Sequence, residues 1–178
     1  KETNMWKLFE EVEMPLVKVL YEMERNGVAT DLQVLSEIEA RTAKKIEEIS
    51  ASIYACVGHE FNLNSPKQLA IVLFDELGLK ASKKRSTAID VLEKLTHAHP
   101  VVPLLMEHRK YQKLYSTYAV ALGKHVQADG KIHTIFHQTL TQTGRLSSSD
   151  PNLQNISVRD QESREVRKAV VASEGCVV

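Results

Sequence analysis

Through most of the first 122 residues apolar side chains recur every three to four positions, a period that a chain can bury only as a set of amphipathic helices. Glycine, proline and capping residues divide that pattern into segments. From Asn4 to Arg25 the positions Trp6, Phe9, Val12, Leu16, Val19, Leu20 and Met23 follow the helical period, Pro15 marks a kink or break, and Gly27 supplies a C-terminal stop. Thr30 with Gln33 forms a capping box, after which Leu32, Leu35, Ile38, Ile46, Ile49 and Ile53 continue the period to about Val57. The two segments read as long antiparallel neighbours with charged outer faces, and neither carries chemistry.

The sharpest helix start is Ser65-Pro66-Lys67-Gln68: serine caps, proline fits the first helical position, and glutamine reaches back to the cap. Leu69, Val72, Leu73 and Leu77 form its apolar face, and Gly78 ends it. A basic loop follows with Lys80, Lys83, Lys84 and Arg85, then Ser86-Thr87 as the cap of a helix to about Thr96. Pro100 and Pro103 punctuate the chain before a helix to Leu122. Beyond the Asp129-Gly130 turn the period changes. Residues 131–142, rich in β-branched and aromatic types, read as a strand, 143–158 as a polar loop, 161–170 as a short helix, and Cys176-Val177-Val178 as the start of a strand after Gly175. The fold class is α+β, mainly α, with a helical body followed by a small antiparallel β element.

Composition narrows the classes further. With 178 residues, 43% apolar and 26% charged, the chain fits neither wholesale disorder nor a disulfide scaffold. No apolar run approaches the roughly 20 residues that span a bilayer, and the first residues show no signal-peptide pattern, so a cytoplasmic protein without a membrane partner is expected. Cys56 and Cys176 have no metal-type spacing and read as two free thiols in a reducing compartment. The formal net charge of zero hides an asymmetry: residues 1–79 carry 8 Lys/Arg against 14 Asp/Glu, net −6, and residues 80–178 carry 15 against 9, net +6. A basic second half suggests a polyanionic partner, although solvated surfaces often share such a bias.

Three stretches could carry chemistry. Lys83-Lys84-Arg85-Ser86-Thr87 places cations and hydroxyls before a helix N-terminus, which could suit a phosphate but by itself reads more simply as an ordinary solvated, capped turn. Arg109, Lys110, Lys113, Ser116 and Thr117 form a stripe of donors at helical spacing suited to consecutive phosphates, with Tyr111, Tyr115 and Tyr118 interleaved and readable simply as core. Residues 143–156, with Arg159 after them, hold Arg145, Asn152, Gln154 and Asn155 without apolar periodicity. Such groups can probe minor-groove acceptors without reading sequence, or can simply bond one another in a loop. His97/His99 and His133/His137 lack the glutamate or third ligand of a metal site, and no Walker, GxGxxG or GxSxG pattern occurs.

The string TGRLSSSDPNLQN (143–155) closely resembles the first polymerase-domain motif of the family A DNA polymerases of bacterial polymerase I type. Other stretches agree in order. FNLNSPKQLAIVLFDELGL resembles thumb helices of that family, KKRSTAIDVLEKL its thumb tip, KLYSTY the next thumb helix, and KIHTIFHQTLTQTGRLSS the strand entering the palm. The resemblance spans nearly the whole chain and is weakest over residues 1–57.

What it implies is a helix leading into the thumb at 1–27, the thumb at 28–122 and the start of the palm at 123–178. Such a segment would grip primer-template DNA. Phosphate contacts would fall to Lys84, Arg85, Ser86, Thr87, Arg109, Lys113, Ser116 and Thr117. Arg145 would meet the minor groove at the primer end, Asn152, Gln154 and Asn155 would contact primer and template nearby, and Arg159 would lie close to the incoming dNTP. The family's chemistry uses Mg2+ held by aspartates, which the resemblance assigns beyond Val178, so this chain would hold no catalytic residue or metal ligand and would be inactive without the remaining palm and fingers. The cell compartment implied is the cytoplasm, at the bacterial nucleoid.

Several positions depart from the family pattern. The tip between Leu79 and Arg85 is shorter than usual, Tyr115 stands where a lysine is common, Ser157 replaces a proline, and Ser163 and Val170 replace a glycine and an aromatic. A reading of another class is a stand-alone helical adaptor whose acidic first half binds a protein. A family A relative specialised for lesion bypass or organelles is a third.

Overall fold

In the computed structural model residues 5–80, 85–156, 161–173, 175 and 176 are described. Helix α1 covers residues 6–26, α-helical over Trp6–Leu8, π-helical over Phe9–Glu13 and α-helical again over Met14–Asn26. The expected kink or break at Pro15 is instead this wider turn. A proline ring crowds the carbonyl four residues before it and donates no N–H, and the π segment immediately ahead loosens the ladder there. Gly27 ends α1 as expected, at φ +64° and ψ −179°.

Strand β1 is Val28–Ala29, and α2 is the 26-residue helix Leu32–Val57. Its cap is Asp31 rather than Thr30: the Asp31 carboxylate accepts from the N–H groups of Gln33 (2.8 Å) and Val34 (3.2 Å). Thr30 is held in a β-bridge to Val170 and turns its hydroxyl back to the Val28 carbonyl, which leaves the neighbouring anion to meet the positive end of the helix.

Helix α3 covers 66–76, α-helical over Pro66–Ile71 and π-helical over Val72–Glu76. Ser65 caps it, accepting from the Gln68 N–H at 3.4 Å. The Gln68 side chain does not return to that cap but accepts from the Asn62 N–H at 2.7 Å, pinning the loop ahead. Gly78, at φ +65°, closes the helix with the Leu79 N–H on the Leu73 carbonyl. Helix α4 is Ile89–Leu95; its cap position is Ala88, not Ser86-Thr87, and Ser86 accepts from the Ala88 N–H in a turn before it. Helix α5 runs from 101 to 125, π-helical over Leu114–Val120 and three residues longer than expected.

The strand expected over 131–142 divides. Lys131–Ile132 (β2) pairs antiparallel with β1, in register Val28↔Ile132, and Ile135–His137 (β3) pairs antiparallel with Ser147–Ser149 (β4), in register Phe136↔Ser148. Strand β4 lies inside the stretch expected to be a polar loop, because three consecutive serines have no apolar alternation to announce a strand. Helix α6, Gln161–Val166, and a 3₁₀ turn over Arg167–Ala169 follow as expected.

By contacts the chain forms two compact units, residues 1–39 with 116–178, and residues 40–115. The second is built on Ile49, Ile53, Leu69, Leu73, Leu92, Val101, Val102 and Leu105, all buried. In the first, Leu20, Leu35, Ile38, Tyr118, Leu122, Ile132 and Val166 are buried. Helix α1 contributes only Leu20 to burial; Trp6, Phe9, Val12, Val17, Val19, Tyr21 and Met23 are each about half exposed. It docks on the β3–β4 hairpin through polar bonds, with the Phe136 N–H on the Glu24 carboxylate (2.6 Å) and the Gln138 amide on the Glu13 carboxylate (2.9 Å).

Gly27 permits this docking. A Cβ there would lie 2.7 Å from the His133 ring, and its backbone angles fall in a region open to glycine almost alone. Gly27→Ala is therefore expected to cost about 2 kcal/mol or more of stability, read as a lowered urea midpoint at unchanged slope.

Candidate nucleic-acid interface

Within residues 40–115 the basic groups divide by what they already hold. Arg85 has φ +48° and donates to the Asp75 carboxylate at 2.5 Å, with its guanidinium 5.8 Å from the centre of the Phe74 ring. That hydrogen bond holds the Asp75 carboxyl below its usual range. Both side chains are about half exposed, so solvent screens the pair and a phosphate could displace the carboxylate at little cost.

Arg109 is placed differently. It donates to the Thr87 carbonyl and, at 3.2 Å, to the Thr87 hydroxyl, tying α5 to the segment ahead of α4. Thr87 is buried, and burial pushes the Arg109 guanidinium below its usual value. The pair forms a strut; only the N–H groups of Arg109 not turned to Thr87 remain for a ligand. Lys110 and Lys113 are exposed on α5, and Lys110 lies 5.8 Å from the centre of the Tyr111 ring. Lys84 lies outside the described residues, as does Arg159.

Within the other unit, Ser116 and Thr117 are exposed on the π segment of α5. Tyr118, next in sequence, is buried and donates its hydroxyl to the Asn155 carbonyl at 2.6 Å. Arg145 is exposed between β3 and β4, its carbonyl accepting from Thr141. The buried Ser148 hydroxyl accepts from the Leu153 N–H (3.2 Å) and donates to Asn152 Oδ1 (3.3 Å), which also accepts from the Gln154 N–H (3.0 Å). Thr134 donates to the carbonyls of Ser149 and Pro151. Asn152, Gln154 and Asn155 are all exposed. Arg145 and the three amides thus project from one backbone run, 145–155, whose shape is set by Tyr118, Thr134 and Ser148.

Those three positioning residues were not singled out from sequence as holding this loop. The buried hydroxyls of Thr134 and Ser148 have no sequence signal of their own, and Tyr118 reads as core, which it is, with the bond to Asn155 in addition. Of the histidines set aside as metal ligands, His133 bonds Asp129 and the Glu24 carbonyl, and His137 bonds Ser149.

Residues 32–178 match the family model described as DNA polymerase family A. The chain belongs to the family A DNA polymerases. It is similar to DNA polymerase I of Lactococcus lactis subsp. lactis (strain IL1403), 48% identical over 176 residues, covering 97% of this chain and 20% of that protein. Against DNA polymerase I of Bacillus subtilis (strain 168) the identity is 47% over 173 residues, covering 94% of this chain and 20% of the relative. Against the thermostable DNA polymerase I of Thermus filiformis it is 48% over 181 residues, covering 98% and 22%. The fold is similar to that of the POL domain of Pol1 from M. smegmatis in complex with DNA primer-template and dNTP, with a TM-score of 0.91 and 39% identity over 97% of this chain and 31% of that one. This family A segment thus spans about a fifth of the length of the curated relatives it matches. Its fold class, mainly α with small antiparallel sheets, is the one expected. Among the described residues no helix is long and apolar enough to cross a membrane.

Two measurements test the scaffold under the interface. Tyr118→Phe removes only the hydroxyl held by Asn155 and is expected to cost about 1 kcal/mol of stability in urea unfolding, since it leaves a carbonyl without its donor. His108, buried on α5, has its pKa pushed below 6.5 by burial and then by the neighbouring Arg109 charge. The unfolded chain then binds a proton that the folded chain refuses, so stability falls as pH drops through about 6.5. In His108→Leu that part of the acid-side slope in the urea midpoint disappears.

Proposed function

We infer that this chain is the part of a DNA-directed DNA polymerase that grips the primer-template duplex, with residues 1–27 leading into a thumb at 28–122 and the palm beginning at 123–178. The observation that carries this reading is the run 145–155. It holds exposed arginine and amide side chains on a backbone held by the Tyr118 and Ser148 hydroxyls, a preorganised set of polar groups of the kind that suits minor-groove acceptors. Contacts there check the shape of a base pair without reading its identity, which is what template-directed synthesis requires of a primer end.

Phosphates would be met by Lys84, Arg85, Ser86, Lys113, Ser116 and Thr117. Arg85 would exchange Asp75 for a phosphate, and Arg109 would use its remaining N–H groups while Thr87 keeps it in place. Arg145 and the amides of Asn152, Gln154 and Asn155 would sit at the primer end, and Arg159 near the incoming dNTP. The chemical step belongs to Mg2+ ions held by carboxylates elsewhere in the polymerase; no residue of this chain is assigned to that step, and the chain alone would not polymerise. The whole enzyme would work in the cytoplasm, at the nucleoid.

In the full polymerase, Arg145→Ala is expected to weaken primer-template binding about tenfold and to slow primer extension, with unfolding little changed. Affinity should fall steeply with added salt, and Lys113→Ala should reduce the slope of log affinity against log salt by about one. Salt-insensitive binding, or an Arg145→Ala enzyme that extends primers normally, would overturn the reading.

A further inference from the structure

The C-terminal end of α1 meets an imidazole with unusual demands. His133 Nδ1 lies 2.7 Å from the Glu24 carbonyl oxygen, and Nε2 lies 2.9 Å from Asp129 Oδ2. Both partners are pure acceptors: a backbone carbonyl cannot donate, nor can an ionised carboxylate. A neutral imidazole carries one N–H and must leave one of these contacts as two facing lone pairs, whereas an imidazolium satisfies both. The pocket is shaped for the ring, since Gly27 gives up a Cβ that would stand 2.7 Å from it.

We propose that His133 is a positioning residue, a proton-dependent clasp that in its charged form locks the β2–β3 segment onto the end of α1 and thereby sets the run presenting Arg145 and Asn152 to DNA. The proposal rests on the duplex-gripping role assigned above. The linkage is short. His133 immediately precedes Thr134, whose hydroxyl donates to Ser149 and Pro151, and it is two residues before β3, which pairs with β4. Phe136, on β3, also bonds the Glu24 carboxylate, so Glu24 receives both ends of this short segment.

The charged groups that face the ring are few. Asp129 approaches from the turn and favours the cation; Lys131, on β2, disfavours it, but is itself occupied with the Asn26 carbonyl at 2.9 Å. The Glu24 carboxylate is engaged by the Phe136 N–H. The bonds to the Glu24 carbonyl and then to Asp129 raise the His133 pKa above 6.5, so the cation persists above the pH at which a free histidine loses it. The clasp is complete below that value and is lost, its proton leaving to water, as pH rises through the folded pKa.

Asp129→Asn separates this role from mere structural support. An asparagine can keep an oxygen on the Lys131 N–H, as Asp129 does at 3.1 Å, and offers its amide N–H to a neutral Nε2, so both contacts are satisfied without the cation. The experiment is fluorescence anisotropy of the full polymerase with labelled primer-template, at fixed salt, from about pH 6 to about pH 9. Wild-type affinity is expected to fall several-fold as pH rises, Asp129→Asn to flatten that profile at the tight end, and His133→Ala to flatten it at the weak end. Profiles identical to wild type in both variants, while Arg145→Ala weakens binding, would overturn the clasp and leave the grip intact. If Arg145→Ala does not weaken binding, the assigned role itself fails. Should His133→Ala unfold, the Asp129→Asn profile decides alone.

Discussion

A helix that ends inside a domain leaves its last carbonyls without partners, and the first unit depends on how the end of α1 is met. Gly27 turns the chain in a conformation reserved for glycine, and two of the carbonyls left behind are met by side chains. Lys131 takes that of Asn26, and His133 takes that of Glu24. Both donors can carry positive charge, which the negative end of a helix favours. Strand β1 leaves this joint to pair with β2, which carries Lys131 and is followed directly by His133. The joint therefore fixes the start of β3, the strand that carries the polar loop by its pairing with β4.

The same economy governs the groups proposed to meet DNA. In each unit groups that could face a ligand stand on backbone held by side-chain bonds: Arg145 and the amides on Tyr118, Thr134 and Ser148, and the segment through Ser86 on the strut between Arg109 and Thr87. Groups so held lose little further freedom on binding, so more of each contact is left as affinity. Arg85 follows another course, resting on Asp75 in a half-exposed pair weak enough to be exchanged.

How much of this could be read in the sequence follows from the range of each interaction. The helices were legible because their period and caps lie within a few residues: Ser65-Pro66 and the stop at Gly78 stand where expected. Thr30 misleads for a nonlocal reason and Ser86 for a local one. Thr30 is drawn into a bridge with Val170, and Ser86 closes a turn one step early, so the caps fall at Asp31 and Ala88. Two- and three-residue strands have no period to read, which hides β1 and β4. The exposed members of the interface were visible as polar types without apolar periodicity, whereas the split of roles between Arg109 and Lys113, both basic and on one helix, depends on Thr87 arriving from 22 residues away.

The fold also decides which way Asn152 faces. Its side-chain oxygen receives the Gln154 backbone N–H, a group that can only donate, so the atom at that position must be oxygen and the amide cannot be reversed. The Ser148 hydroxyl, whose lone pair is taken by the Leu153 N–H, adds its own proton to the same oxygen. With its acceptor filled twice from within the loop, Asn152 has only N–H donors left to turn outward. Purine N3 and pyrimidine O2 are acceptors at matching places in every base pair, so under the proposed grip a side chain made donor-only by its own loop would suit them whatever the sequence. An asparagine free to rotate would present donor and acceptor alike and would discriminate less; the internal bonds of the loop turn an ambivalent amide into a single-valued one.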